Sequence, residues 1–179
     1  MAILWPFIWL AAIGLVLSLV SHGCALFGLP QPEEAWVLHV GVFVVLIPAI
    51  FVSSKLTGEF KLKDHWKAAM RGCPRWMQIM TFIFGVYAII NFILFIPQAL
   101  NVGQQAAGAP TPPEIIRGFS GHWMAFYSAA MAILYSAWAT SKHDSARRCP
   151  NAHPVSPAAV YCETCGAQID GRDRAVETT

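Results

Sequence analysis

The sequence predicts an all-α membrane protein, a four-helix transmembrane bundle followed by a small C-terminal module that contains cysteine and proline. Its composition carries this prediction, because 56% of the 179 residues are hydrophobic and only 12% are charged. In an ordinary soluble domain roughly a quarter of the residues are charged. The apolar residues are also concentrated in long runs, and the chain turns polar only from Thr140 onward. The lipid bilayer is therefore the first expected partner of the chain.

Four apolar runs are close to the length of a membrane-crossing helix. They cover residues 2–20, 35–51, 76–97 and 119–140, and none of them contains Asp, Glu, Lys or Arg. A helix needs about 20 apolar residues to cross ~30 Å of hydrocarbon. The lack of charge inside the runs argues against an ion-coupled transporter, which uses ionisable groups within the membrane. We assign residues 1–140 to the bundle.

The basic residues of the loops predict the orientation of the bundle. The loop after the second run contains Lys55, Lys61, Lys63, Lys67, Arg71 and Arg75, whereas the loop after the first run contains no Lys or Arg. Basic loops stay on the cytoplasmic side, so four crossings place both termini in the cytoplasm, most simply at a bacterial inner membrane. Leu62, Trp66 and Met70 recur at helical spacing in this loop. They indicate either a short helix in the headgroup layer or a solvated basic loop.

The C-terminal region divides into a basic linker (141–148), a cysteine-containing module (149–170) and a polar tail (171–179). Cys162 and Cys165 form a CxxCG turn, and Cys149 and His153 form a CxxxH element eight residues before it. Three thiolates and one imidazole make the closed four-coordinate shell that structural zinc prefers. This pattern resembles a zinc ribbon, a small module that many bacterial and archaeal membrane proteins carry at one end. The resemblance implies a structural zinc ion on these four residues, and we see no family resemblance in the bundle.

Two alternatives to zinc are a dithiol redox pair and a tail without metal. A redox CxxC motif normally opens a helix of a thioredoxin-like domain, for which too few residues remain. A segment of about 20 residues cannot build a hydrophobic core of its own, and zinc can supply the folding free energy instead. Because closed coordination leaves no position for a substrate, the module is expected to be a docking or structural element.

With both termini in the cytoplasm, three histidines fall on the same side of the bilayer. His22 ends the first run, His39 lies about one turn inside the second, and His122 begins the fourth. Ionisable residues within a membrane are candidates for function, so these histidines are expected to bind haem or a metal ion. The alternative is that they extend to water beside Trp36 and Trp123 in an aromatic belt.

Two functions of different classes follow from these features. The first is a non-enzymatic accessory or scaffold subunit, which packs against other membrane-protein subunits or a second copy of itself and docks cytosolic partners through the ribbon. The second is a membrane electron-transfer protein that carries haem or a metal ion at the histidines. The chain contains no nucleotide-binding motif and no recognisable catalytic triad, which argues against an enzyme. Its tail has too few clustered basic and aromatic residues for nucleic-acid binding.

Overall fold

The computed structural model describes residues 2–29, 31–58, 61–102, 111–146, 148–151, 153, 155 and 159–169. Within these residues the chain is almost entirely helical and contains no strand. The α-helices are α1 (Trp5–Leu26), α2 (Val37–Thr57), α3 (His65–Met70), α4 (Arg75–Val102) and α5 (Pro113–Ala146). The chain divides into two compact units, Met1–Ala137 and Trp138–Thr179. The predicted polar tail, 171–179, lies outside the described residues.

Among the residues that the structure describes, three helical segments are long and apolar enough to cross a membrane. They are Trp5–Leu26, Glu33–Thr57 and Arg75–Pro97, which is compatible with an integral membrane protein. The predicted fourth segment, 119–140, lies in α5 and is not apolar enough to belong to this set. That helix has 34 residues and is long enough, but His, Ser, Gly, Tyr and Trp residues interrupt its apolar sequence.

Burial within the first unit explains the mixed composition of α5. Side chains that are almost completely buried include six from this helix, namely Ile116, Ser120, Trp123, Ser128, Leu134 and Ser136. By contrast, large apolar side chains of the other long helices are exposed, such as Leu17 of α1, Phe43 of α2 and Phe82 of α4. A helix that is surrounded by protein needs no apolar face for lipid, so small polar residues can replace large apolar ones.

α5 lies beside α4 over most of the length of that helix. At one end the Asn91 side chain donates a hydrogen bond to the carbonyl oxygen of Arg117 (2.8 Å). Just before the start of α4, the backbone N–H of Gly72 donates to the Ser136 hydroxyl (3.0 Å). The stretch of α5 between these contacts, 117–136, is about 28 Å long at 1.5 Å per residue. The two helices are antiparallel neighbours across a thickness close to that of a hydrocarbon core.

Tyr127 of α5 fills a space that two glycines leave open. Its side chain is 2% exposed, and its hydroxyl donates a hydrogen bond to the carbonyl oxygen of Leu38 (2.8 Å). A Cβ atom added at Gly14 of α1 would overlap the tyrosine ring, and one added at Gly41 of α2 would overlap its hydroxyl. Small residues let membrane helices approach closely. Here they let α1 and α2 pack directly on α5.

The basic loop folds as a 3₁₀ turn, Leu62–Asp64, that continues into α3. Ala68, Ala69 and Met70 are buried, whereas Leu62 is 83% exposed and Trp66 is 48% exposed. The described part of the loop therefore ends in a short helix whose last three residues pack on the unit, while the Trp66 side chain is about half exposed.

Candidate functional site

A tight turn in the second unit brings Cys162 and Cys165 together. Tyr161 and Gln168 form an isolated antiparallel bridge, and the Cys162 N–H donates to the carbonyl oxygen of Ala167 (2.8 Å). The turn closes through Gly166, whose φ of 68° lies in the left-handed region. Glycine adopts this conformation without the steric cost that a side chain would add. The glycine of the CxxCG motif thus has a specific structural role.

The four predicted metal ligands lie in one group. One ligand atom from each of Cys149, His153, Cys162 and Cys165 lies within 4.8 Å of all the others. These residues form a Cys₃His group that could hold a metal ion.

The separations within this group are close to those of a tetrahedral metal site. The Sγ atoms of Cys149 and Cys165 are 3.7 Å apart. The His153 Nδ1 atom lies 3.6 Å from the Cys149 Sγ and 3.9 Å from the Cys162 Sγ. Metal–sulfur bonds of about 2.3 Å and metal–nitrogen bonds of about 2.0–2.1 Å give tetrahedron edges of about 3.8 Å for S···S and 3.5 Å for S···N. The geometry also selects Nδ1 as the coordinating nitrogen of His153.

Backbone N–H groups point at the sulfur atoms and favour their thiolate forms. The Ala167 N–H and the Asn151 side chain lower the pKa of the Cys165 thiol to about 7. Burial disfavours ionisation of Cys162, but the N–H groups of Thr164 and Cys165 bring its pKa below the usual value. Since the thiolate is the form that binds metal, the lowered thiol pKa values of this turn favour the binding of a cation.

Cys149 differs from the other two cysteines, because burial raises the pKa of its thiol and the N–H groups of His153 and Asn151 only partly offset this effect. A metal ion would supply the positive charge that this buried sulfur lacks as a thiolate. The unit also has a small apolar core, formed by Cys149, Val155, Cys162 and Ile169. Two of the four candidate ligands are therefore core residues as well.

Asn151 is a site residue that the sequence analysis misses. Its side-chain N–H donates to the Cys165 sulfur (3.3 Å). The sequence feature that could have indicated this role is the position of Asn151 between Cys149 and His153 in the CxxxH element. An amide donor at that place can stabilise a thiolate by a charge-assisted hydrogen bond.

The histidines predicted to share a cofactor lie in different environments. His22 is buried, with Nδ1 placed 2.8 Å from the Ser120 hydroxyl and Nε2 beside the Tyr87 hydroxyl. The Ser120 hydroxyl in turn donates to the carbonyl oxygen of Arg117 (3.2 Å). This direction assigns the proton to Nδ1, so that the Tyr87 hydroxyl donates to Nε2. Both ring nitrogens of His22 thus have partners from the protein.

His39 and His122 line one apolar pocket. Its volume is about 150 Å³, and its other lining residues are Phe92, Phe95, Gly118, Phe119 and Phe126. The Trp123 indole N–H donates to Nδ1 of His39 (3.0 Å), which leaves the proton of the neutral ring on Nε2. In His122 the opposite tautomer is present, because Nδ1 donates to the carbonyl oxygen of Gly118 (2.9 Å). His122 therefore has its lone pair on Nε2. A cofactor shared by these two histidines, with His22 as a further ligand, stays a prediction.

Comparisons with known proteins give no relative of this chain. No protein-family model, curated protein or solved structure matches it. The case for a function therefore depends on the geometry described above.

Proposed function

We propose that the chain is a non-enzymatic accessory or scaffold subunit of a membrane complex, which docks a cytosolic partner through a zinc-stabilised C-terminal module. The Cys₃His group, with four ligand atoms within 4.8 Å of one another, is the observation that carries this proposal. A shell of four protein ligands has no open position for a substrate, unlike a catalytic zinc site. The metal then acts by fixing the shape of a short segment.

Zinc is the metal that suits this donor set best. Three thiolates and one imidazole in tetrahedral geometry are typical of structural zinc. The second unit has a small apolar core, and a module of this size gains much of its folding free energy from metal binding. We expect Cys149, His153, Cys162 and Cys165 to hold one ion.

We further propose that α5 crosses the membrane as a fourth, protein-shielded helix. It lies antiparallel to α4 over about 28 Å, and the hydrogen bonds at Asn91 and Gly72 mark the two ends of that contact. Four crossings and the basic loop then place both termini in the cytoplasm. In that compartment thiols stay reduced and available to metal.

Removal of the metal should release the partner without removing the protein from the membrane. We expect tagged wild-type protein, extracted in mild detergent from its native membrane, to carry a partner in constant ratio. The variant Cys162→Ser/Cys165→Ser should lose that partner, because the docking surface needs the metal for its shape. Cys24→Ser, a change in α1 away from the module, is the matched control and should retain it. Retention of the same partner by the metal-site variant would contradict docking through the module.

Single-cysteine labelling of intact cells should separate four crossings from three. In a chain whose Cys24 and metal-site cysteines are replaced by serine, an impermeant maleimide should label a cysteine at Gly108 and miss one at Lys61 or Thr179. Cys73 can stay in this background, since burial raises the pKa of its thiol to about 12 and the reactive form is the thiolate. Labelling at Thr179 would show that α5 does not cross. Labelling at Lys61 would reverse the orientation.

Electron transfer is the second candidate function. It rests on His39 and His122 lining one pocket, whose volume of about 150 Å³ would have to increase for a haem to enter. His122 carries its lone pair on Nε2, as an axial haem ligand requires. His39 would have to give up its hydrogen bond from Trp123 whichever ring nitrogen bound the iron, because that bond ends on Nδ1. An optical spectrum of the purified protein is the test. A Soret band that His122→Ala removes, and that His65→Ala in the basic loop retains, would support haem. A spectrum without visible absorption would exclude it.

A further inference from the structure

A groove on the first unit lies between α3 and α4. Its volume is about 410 Å³, and Trp66 of α3 and the α4 residues Thr81, Phe82, Gly85, Val86 and Ile89 line it. The groove is open along one side, and almost all of its lining is apolar. Gly85 leaves open space in the groove, because a Cβ atom added there would meet no atom within 4 Å. The shape suits a flexible hydrocarbon chain that lies along α4.

Basic residues lie close in sequence to the groove-lining residues at the end next to α3. Lys67 follows Trp66 directly, and Lys63 precedes it by one helical turn. Arg75 lies seven residues before Phe82, and therefore on nearly the same face of α4, about 10 Å toward the loop. All three cations are exposed. The Lys67 amine is 3.9 Å from the Asp64 carboxylate, and such exposed ion pairs are weak.

The charge balance of this loop decides which class of molecule fits the groove. Residues 55–75 contain six Lys or Arg and two acidic residues, Glu59 and Asp64. Basic clusters beside transmembrane helices bind the headgroups of anionic lipids. We infer that the groove is a binding site for an anionic phospholipid, with one acyl chain between Trp66 and Gly85 and the phosphate near Lys63, Lys67 and Arg75. This goes beyond the proposed docking function, because it uses neither the metal module nor the histidines.

Native mass spectrometry of the purified protein tests this site with two lipids of identical acyl chains, dioleoyl-phosphatidylglycerol and dioleoyl-phosphatidylcholine. The wild type should retain more of the anionic lipid. Each of Lys63→Gln, Lys67→Gln and Arg75→Gln should lower that retention by about fivefold, the effect typical of one cation beside an anionic surface. Lys55→Gln, at the end of α2, is the matched control and should change it little.

A second variant tests the acyl-chain part of the groove. Gly85→Leu should fill part of the groove and lower retention of both lipids, and it should fold normally because a Cβ atom added there meets no atom within 4 Å. Gly23→Leu is its control, since a Cβ atom added there also meets no atom within 4 Å. Equal retention of the two lipids by the wild type would overturn the inference, and so would unchanged retention in Gly85→Leu.

Discussion

The variant Cys162→Ser/Cys165→Ser should purify without the roughly one zinc per chain that we expect in the wild type. Its second unit should become sensitive to protease, because the small core includes Cys149 and Cys162 themselves and loses the metal that holds it together. The unit Met1–Ala137 should stay folded in detergent, since its helices do not depend on the metal. Elemental analysis measures the first effect and limited proteolysis followed by mass spectrometry the second.

Two outcomes would contradict this expectation. A wild-type module that resists protease after complete removal of metal by a chelator would show that its own packing is sufficient. Zinc at full stoichiometry in the double variant would place the metal elsewhere. Asn151→Ala offers a finer control, because it removes only the hydrogen bond to the Cys165 sulfur. We expect it to keep the metal but to weaken binding, by about tenfold, the lower end of the effect of removing a hydrogen-bond partner of a ligand.

Gly14→Ala should strongly destabilise the first unit, although alanine normally favours a helix. The added methyl group would overlap the ring of Tyr127, which is buried and has little room to move. Overpacking of this kind typically costs about 1–3 kcal/mol. We expect a loss near the upper end of that range, measured as a shift of the unfolding transition when a denaturing detergent is titrated into the protein in mild detergent.

Two further variants make this result specific to the contact between α1 and α5. Gly23→Ala in the same helix meets open space and should be neutral or stabilising, by up to ~1 kcal/mol. Replacing Tyr127 by leucine should weaken the wild type but restore part of the stability of Gly14→Ala, giving a coupling energy of about 1–3 kcal/mol. Equal stability of Gly14→Ala and Gly23→Ala would contradict the close packing of α1 on α5.

The sequence predicts most of the helices because their apolar runs are long and free of charge. It also predicts a fourth crossing helix from the run 119–140, which the structure places in α5 and which is less apolar than the other three for a physical reason. Ser120, Ser128 and Ser136 of α5 face protein, where small polar residues can form hydrogen bonds or allow close contact. Gly14 of α1 and Gly41 of α2 leave the space that the Tyr127 side chain of α5 fills. The sequence alone could not match them with Tyr127, because that pairing depends on how three helices are arranged.

The metal ligands could be predicted from spacing, because a CxxCG turn and a nearby CxxxH element restrict where the side chains can lie. The roles of the three histidines could not. The predicted topology places His22, His39 and His122 on the same side of the bilayer, but their function depends on the partners of each ring nitrogen. Ser120 and Tyr87 each contact one ring nitrogen of His22, and they lie 98 and 65 positions away from it in the chain, respectively. Contacts at such sequence separation have no local signal.

Zinc K-edge X-ray absorption of the wild-type protein tests the central claim most directly. A Cys₃His centre predicts a first shell of three sulfur atoms at about 2.3 Å and one nitrogen at about 2.0–2.1 Å, with no oxygen ligand. His153→Ala should replace the nitrogen contribution by that of water, and Cys24→Ser should leave the spectrum unchanged. A zinc-free protein, or a first shell of oxygen and nitrogen atoms without sulfur, would contradict the proposed metal centre.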